Sequence, residues 1–505
     1  MNRPNRMTAL VALGMILSSV SPIVAQAAAN DAPMDMRWAN RLTWGATAPA
    51  SSGGSVDRWL AGQLGPPSRA MPPAAAAQIA AMQIEKTPMP QLAQDMLAQY
   101  HAFTAMKDIK QREAARIAYE KTMNGLADEA RRRFVLRALY APDQLREQMT
   151  WFWFNHFNVF ATKRDIRAMV GDYEDTLRTR ALGRFRDLLE ATLRHPAMLR
   201  YLDNDLNAVG HINENYAREI MELHSMGVGT GYTQKDVQEL ARILTGVGVR
   251  IGPEKPTIKP QWQPLYIRSG LFEFNPAKHD FGDKMFLGHV IKGSGMGEVE
   301  QALDLIAGSP ATARHISTQL AIFFMGDHPP AATIQAMAQT FQQSKGDIAQ
   351  VIRTMVDDPA FAASLGKSFK NPVQYAISAL RLSYGDRVIV NAQPVVGWIA
   401  HMGGTLYGWQ TPDGYGMTSA TWSSPGQMSS RFDIARQIGV GAGGIFRPVD
   451  GAAAASPVFP DIRNRFYHDG LGNGFSAQTQ ATLAKAVNDR EWNIFFLSSP
   501  EFMYR

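Results

Sequence analysis

The densest run of chemically capable side chains is Asn213-Glu214-Asn215-Tyr216-Ala217-Arg218-Glu219-Ile220-Met221-Glu222-Leu223-His224-Ser225. On a helix at ~100° per residue, Asn215, Arg218, Glu219 and Glu222 share one face, Met226 continues the stripe, and His224 lies nearly opposite. Two carboxylates facing a cleft, with Arg218 holding one ionised, can split their pKa values and serve as acid and base. The alternative is a solvated helix face with an Arg218–Glu222 pair, which contributes only about 0.2–0.5 kcal/mol. The spacing excludes two metal patterns. There is no His-Glu-x-x-His, and Glu222 and His224 are two apart, so the Glu-x-x-His of di-iron bundles is also missing.

Three other segments carry reactive types. The 151–160 stretch, Trp151-Phe152-Trp153-Phe154-Asn155-His156-Phe157-Asn158-Val159-Phe160, is apolar on nearly every side and predicts a buried helix. Asn155 and His156 are its main polar exceptions and need partners. His156 is either a base or metal ligand reaching a cleft, or a core histidine satisfied by one bond. Tyr201-Leu202-Asp203-Asn204-Asp205 ends a helix, and Asp203 either caps it or completes a site with Glu219. Lys278-His279-Asp280-Phe281-Gly282-Asp283-Lys284 places His279 beside Asp280 in an irregular segment, which suits metal binding or acid–base work, or an ordinary polar turn. Other chemistries are absent. There is no Gly-x-Ser-x-Gly and no P-loop, and Gly227-Val228-Gly229-Thr230-Gly231 follows a helix instead of a strand, against a dinucleotide site.

The elements that must position these residues are mainly helical. Helical patterns cover 91–195, 212–244 (broken at Gly227, Gly229 and Gly231) and 299–382. The 246–297 stretch, rich in Gly, Pro and Phe, reads as irregular or as a small sheet-like insertion, and 386–474 reads as Gly/Pro-rich and loop-like. Pro196, Pro310, Pro359 and Pro500 each sit where a first helical turn is expected. The expected fold is therefore mainly α: a large multi-helix globular body with Gly/Pro/aromatic-rich irregular insertions near 246–297 and 386–474. Its N-terminus differs. Arg3 and Arg6 precede an apolar stretch that ends at Ala25-Gln26-Ala27, so 1–27 reads as a secretory signal peptide. Residues 28–90 read as an N-terminal arm and an Ala/Pro-rich connector, mobile over 66–90, and 91–505 as the helical body.

The 505 residues contain no cysteine, which excludes disulfides, thiolate chemistry and a lipoprotein anchor. The formal charge of +6 loses Arg3 and Arg6 on cleavage, so electrostatics do not mark a nucleic-acid binder. No later apolar run has spanning length, so no membrane span is expected after cleavage. The place expected is the periplasm or the exterior, where a cysteine-free chain avoids mispaired disulfides.

The central string, with Met226-Gly227-Val228 and Gly231-Tyr232-Thr233-Gln234-Lys235-Asp236-Val237, resembles the signature of the bacterial family called domain of unknown function 1800. Arg41-Leu42-Thr43-Trp44-Gly45-Ala46-Thr47, Trp153-Phe154-Asn155-His156-Phe157, Leu202-Asp203-Asn204, Ala241-Arg242-x-Leu244-Thr245-Gly246 and His279-Asp280-x-Gly282-x-Lys284 are similar to its other elements, in order. Lys370-x-Pro372, Met402-Gly403, Pro412-x-Gly414-Tyr415, Trp422 and Arg431 extend the likeness toward the end. Phe154 stands where many relatives carry His, against a His-x-His metal pair on that helix, and Gly404 where Gln is common. The resemblance implies a mainly helical, usually exported protein with no settled activity. It also implies a frequent co-encoded exported companion of the family called domain of unknown function 1501. Finally, it implies that Asn215, Glu219, Glu222, His156, Asp203 and His279 share a site.

Three functions follow as expectations. The first is a hydrolase-type enzyme acting on an envelope or extracellular polymer such as a polysaccharide. Glu219, Glu222, His156 and Asp203 would be catalytic, and Asn155, Asn215, Arg218, His279 and Asp280 would bind substrate. A divalent metal would fall to His156, His224 or His279. The second is a non-enzymatic periplasmic scaffold or binding protein working with the co-encoded companion, whose polar motif fixes the fold. Tyr407-Gly408-Trp409, Tyr415 and Trp422 would then hold a partner or glycan, against ordinary core packing as the alternative. The third is a redox metal or haem protein, since 11 His and 25 Met supply ligands. Covalent c-type haem is excluded by the missing Cys-x-x-Cys-His.

Overall fold

The computed structural model describes residues 34–47, 54–66, 70–385, 387–441, 443–448, 459–460, 462–463 and 474–505. The signal peptide expected at 1–27 lies outside the described residues. Helix accounts for 62% and strand for only 5%, so the fold is mainly α. The Gln144–His156 helix is its axis. Ten of its residues from Gln144 to Phe154 are buried, because Trp151, Phe152, Trp153 and Phe154 leave no polar face to expose. The C-terminal half of the 32-residue Ile109–Tyr140 helix buries Phe134, Val135, Leu136, Ala138 and Leu139. Every residue of the Pro372–Tyr384 helix is buried. One continuous apolar core runs from Met34 to Met503, so the helices form one body. A small satellite core, with Leu92, Met96, Phe103 and Met123, joins the Met89–Thr104 helix to Ile109–Tyr140.

Pro196, Pro310 and Pro359 start helices as expected, while Pro500 only precedes a three-residue 3-10 turn, Glu501–Met503. His195 Nδ1 accepts from the Ala197 amide at 3.1 Å ahead of Pro196–Tyr201. Ser309 and Asp358 cap the helices that begin at Pro310 and Pro359. The same device changes two expectations. The 66–90 connector contains the Pro73–Ala80 and Gln83–Lys86 helices, with Ala75, Ile79 and Met82 buried. Its alanines favour helix, and Pro73 occupies a first-turn position that lacks nothing by having no N–H. The 386–474 stretch likewise holds the helices Gln393–His401, Ser419–Trp422 and Pro425–Gly439 between its loops.

The 246–297 insertion is the small sheet expected. Strands β1 (Val247–Val249), β2 (Ile267–Ser269) and β3 (Phe272–Phe274) pair antiparallel in the order β1-β3-β2. Val247 and Ile267 both lie opposite Phe274. A hairpin of β4 (Lys284–Phe286) and β5 (His289–Ile291) follows. No helix among the described residues is long and apolar enough to cross a membrane.

Candidate functional site

The central motif forms a short helix, Asn215–Glu222, which buries Tyr216, Ala217, Ile220 and Met221. Four asparagines fix where it starts. Asn204 Nδ2 donates to the Val247 carbonyl at 2.8 Å, and Asn207 Nδ2 donates to the Ala241 carbonyl at 2.9 Å and to Asn204 Oδ1 at 3.2 Å. Asn207 Oδ1 accepts from the Asn213 amide at 3.0 Å, and Asn213 Oδ1 accepts from the Asn215 amide at 3.0 Å. Asn213 and Asn215 then donate to the Asp203 and Leu202 carbonyls at 3.1 and 3.2 Å. Asn215 and Asp203 thus join the frame of the site. Asp203 has φ +56°, and its carboxylate pairs with Lys163 at 2.8 Å. At its far end the helix widens, with the His224 and Met226 amides reaching back five residues to the Glu219 and Met221 carbonyls. The carbonyls left over at Leu223 and His224 accept from His315 Nε2 at 3.3 Å and His156 Nε2 at 3.0 Å.

The exposed face is as the spacing predicts. Arg218 bridges Glu214 at 3.0 Å and Glu222 at 3.2 Å, and also donates to Gln234 Oε1 at 3.0 Å. Glu219 stands beside this bridge, half-buried, and its carboxyl has no hydrogen-bond partner among the described residues. Burial first, then the charges of Glu222 and Asp413, push it up to about 7 against the pull of Arg218. Tyr201, on Pro196–Tyr201, also feels its charge.

Asp413 comes from the 405–417 loop, which is sewn down from several elements. Asn155 Nδ2 donates to the Tyr415 carbonyl at 2.9 Å, and its Oδ1 accepts from the Tyr415 amide at 2.8 Å. Asn158 Nδ2 donates to the Trp409 and Thr411 carbonyls at 3.0 and 2.8 Å. The Tyr201 hydroxyl donates to the Gln410 carbonyl at 2.8 Å, and the Tyr407 hydroxyl to Glu174 Oε2 at 2.8 Å. At Gly414 (φ +68°) a Cβ would stand 2.1 Å from the Asn155 carbonyl oxygen, so the loop packs on the helix backbone where only glycine fits. Asp413 itself is exposed and accepts from Trp409 Nε1 at 2.9 Å and Thr411 Oγ1 at 2.5 Å. Asp413-Gly414 has the composition of an ordinary turn. The available signal was the pair Asn155 and Asn158, polar side chains in an apolar stretch that required partners from elsewhere.

Tyr415 in this loop and Trp422 on the following Ser419–Trp422 helix are core residues, 9% and 5% exposed, while Trp409 stays half-buried beside Asp413. The cavity under Asn155, between Trp151, Phe323, Tyr415 and Trp422, offers about 20 Å³, room for a water. Glu219, half-buried, feels the charge of the exposed Asp413 carboxylate.

The histidines divide into two groups. His156 and His224 lie under the end of the Asn215–Glu222 helix with His315, which the sequence reading had not selected. Their ring centroids are 6.2 Å (His156–His224) and 6.1 Å (His156–His315) apart. Burial holds His156 down to about 3, His224 well below its ordinary value, and His315 lowered. His279 belongs elsewhere. Its Nδ1 faces the Thr245 carbonyl at 2.8 Å and its Nε2 faces Glu298 Oε1 at 2.8 Å, and Glu298 also pairs with Lys284. The side chains of all three are fully buried. Asp280 is held by Arg242 at 2.8 Å and by the Gly282 amide at 2.8 Å, and the Arg242 hydrogen bond keeps its carboxyl below the usual range. No hydrogen bond, ion pair or ring contact among the described residues joins His279 or Asp280 to Glu219, so this network supports the insertion. No three His, Asp or Glu side chains among the described residues already stand as a metal-holding array.

The raised Glu219 carboxyl has a consequence for stability. A carboxyl whose folded value exceeds its unfolded one destabilises the fold as pH rises from about 4.5 to about 7, because only the unfolded chain loses its proton freely. Glu219→Gln mimics the protonated form. It is expected to raise stability by about 1–2 kcal/mol above neutrality, after discounting for solvent at the cleft, and to change nothing in acid. Urea melts at both pH values check this.

The family model described as "Protein of unknown function (DUF1800)" matches residues 37–504. The chain belongs to that family, and the match takes in the central helix, the Asp413 loop and the Arg41–Thr47 motif. No curated protein and no solved structure matches the chain.

Proposed function

We propose that this member of the DUF1800 family is an exported acid–base enzyme, a hydrolase acting on an envelope or extracellular polymer such as a polysaccharide. Glu219 is the general acid and Asp413 the second carboxylate. The observation that carries this reading is Glu219 itself: half-buried, free of hydrogen bonds among the described residues, pushed up to about 7, and within the field of an exposed carboxylate fixed on a clamped loop. A general acid works best when its pKa lies near the operating pH, and a neighbouring carboxylate in a wetter place stays ionised. Glu219 would give its proton to the leaving oxygen while Asp413 takes one from the attacking water, so protons balance over the cycle. Glu222, tied to Arg218, contributes charge that keeps Glu219 protonated. Half-buried Trp409 beside Asp413 offers a flat apolar face suited to a sugar ring. The signal-like N-terminus supports export to the periplasm or beyond.

The test is a reducing-end assay of purified protein on a panel of envelope and extracellular polysaccharides, for the wild type, Glu219→Gln and Asp413→Asn. Turnover by the wild type and a loss of about 10²–10⁴-fold in each variant are expected. No turnover on the panel, or undiminished turnover in the folded variants, overturns the reading.

One observation favours a second reading. Asn155, Asn158, Asn207, Asn213, Asn215, His279 and Asp280 all spend their polar atoms on internal hydrogen bonds. A non-enzymatic scaffold, working with an exported DUF1501-like companion, would use the motif in this way. It predicts companion binding that survives Glu219→Gln.

A further inference from the structure

We propose that Lys163 is a positioning residue of the site, a clasp that holds the Asn215–Glu222 helix and the 405–417 loop in register. The clasp follows from the geometry; only its effect on turnover rests on the acid–base reading.

The 158–163 segment touches both parts. On the loop side, Asn158 Nδ2 holds the Trp409 and Thr411 carbonyls at 3.0 and 2.8 Å, and the Ala161 amide donates to the Tyr407 carbonyl at 3.0 Å. On the helix side, Lys163 Nζ donates to the Tyr201 carbonyl at 2.5 Å and to Asp203 Oδ2 at 2.8 Å. The 201–203 segment that it grips also works in both directions. The Tyr201 hydroxyl donates to the Gln410 carbonyl at 2.8 Å, between the two carbonyls that Asn158 holds. The Leu202 and Asp203 carbonyls accept from Asn215 and Asn213 at 3.2 and 3.1 Å, at the start of the helix that carries Glu219. One ammonium thus closes a circuit that runs from the loop of Asp413 to the helix of Glu219.

Asp203 needs such a clasp. Its backbone is left-handed (φ +56°, ψ 25°), a conformation that persists in a residue with a side chain only where neighbours hold it. The ammonium fixes that turn from two sides, through the Tyr201 carbonyl before it and the carboxylate upon it. Hydrogen bonds from a charged donor are about twice as strong as neutral ones. Lys163 Nζ also lies 5.7 Å from the centre of the Tyr201 ring, the side chain that reaches the loop. Arg164, itself left-handed (φ +53°), binds Asp205 through two bonds of 3.0 Å and so steadies the same turn two residues on. The Lys163 and Asp203 side chains are 31% and 35% exposed, so replacing the ammonium leaves the core packed.

The experiment follows the Glu219 carboxyl by carbon NMR in the full chain, labelled at the glutamate side-chain carboxyl, with the signal assigned by its loss in Glu219→Gln. Lys163→Met keeps the apolar stem and removes the ammonium. Two effects of that change have opposite signs. Removing a positive charge by itself would raise the Glu219 titration. Loss of register would lower it, because Glu219 would shed burial and the field of Asp413, while Glu222 and Arg218 travel with it on the same helix. The expected result is a fall of about one pH unit toward the ordinary carboxylate range. Lys163→Arg should titrate as the wild type does. Lys163→Gln, a neutral donor, should fall in between and gives the reading if the methionine variant does not fold. An unchanged or raised titration in either folded neutral variant overturns the proposal, as does a fall that Lys163→Arg does not rescue. On any polymer that the wild type cleaves, kcat should drop about 100-fold in Lys163→Met with KM unchanged, and an undiminished kcat also overturns the clasp. No cleavage by the wild type overturns the acid–base reading instead, and the titration still decides the clasp.

Discussion

Glu298→Ala is expected to cost the fold about 3–5 kcal/mol, the range for breaking a buried ion pair from one side. The Glu298 side chain has no solvent exposure. It pairs with Lys284, faces His279 Nε2 at 2.8 Å, and accepts from the Ser294 and Gly295 amides at 2.7 and 2.9 Å. Alanine would leave a fully buried ammonium without a counter-charge and two amides without an acceptor. Burial alone would raise the Glu298 carboxyl, but the hydrogen bonds from His279, Lys284 and Gly295 outweigh it and hold the group below its ordinary value. Its contribution is therefore fully present above about pH 4.5 and is lost as the pH falls below that. Urea unfolding at neutral pH should show the midpoint fall for Glu298→Ala. The gap between wild type and variant should narrow in acid, where the wild type loses the same charge. A neutral-pH midpoint within error of wild type would mean that the cluster contributes nothing.

Asn158→Leu should separate positioning from stability. The amide holds the Trp409 and Thr411 carbonyls, the two residues whose side chains fix Asp413. Its loss should cost about 1–3 kcal/mol of stability. It should cost turnover much more, by about 100-fold, because a displacement of roughly 1 Å in a reacting group has that effect. The rate should fall chiefly in kcat, because Asn158 sits behind the loop and touches no substrate. Amide exchange across 409–415 should quicken in the variant and stay unchanged in the Asn215–Glu222 helix. Equal quickening in both would show that the loop and the helix open as one unit.

Local pattern made the scaffold legible. The Asn215–Glu222 helix, the glycine break after it, the sheet at 246–297 and the proline helix starts each rest on a few adjacent residues. The face that carries Arg218, Glu219 and Glu222 was legible for the same reason. What stayed hidden depends on residues far apart in the chain. Asp413 sits in a turn-like string and becomes chemically interesting only because Asn155, Asn158 and Tyr201 bring it to Glu219. His315 sits inside an ordinary apolar helix, Pro310–Met325, and acquires meaning only through the carbonyl it meets. His279 and Asp280 looked like a loop site because their partners, buried Glu298 and Lys284 for the first and half-buried Arg242 for the second, come from flanking elements.

The asparagine lacing at the start of the central helix has one more consequence. Asn204, Asn207, Asn213 and Asn215 hold that helix through amides and carbonyls alone. None of these groups gains or loses a proton between acid and alkali. The mount is chemically silent over the whole range in which Glu219 titrates. An inflection near neutrality in a property of this helix therefore does not come from its N-terminal mount.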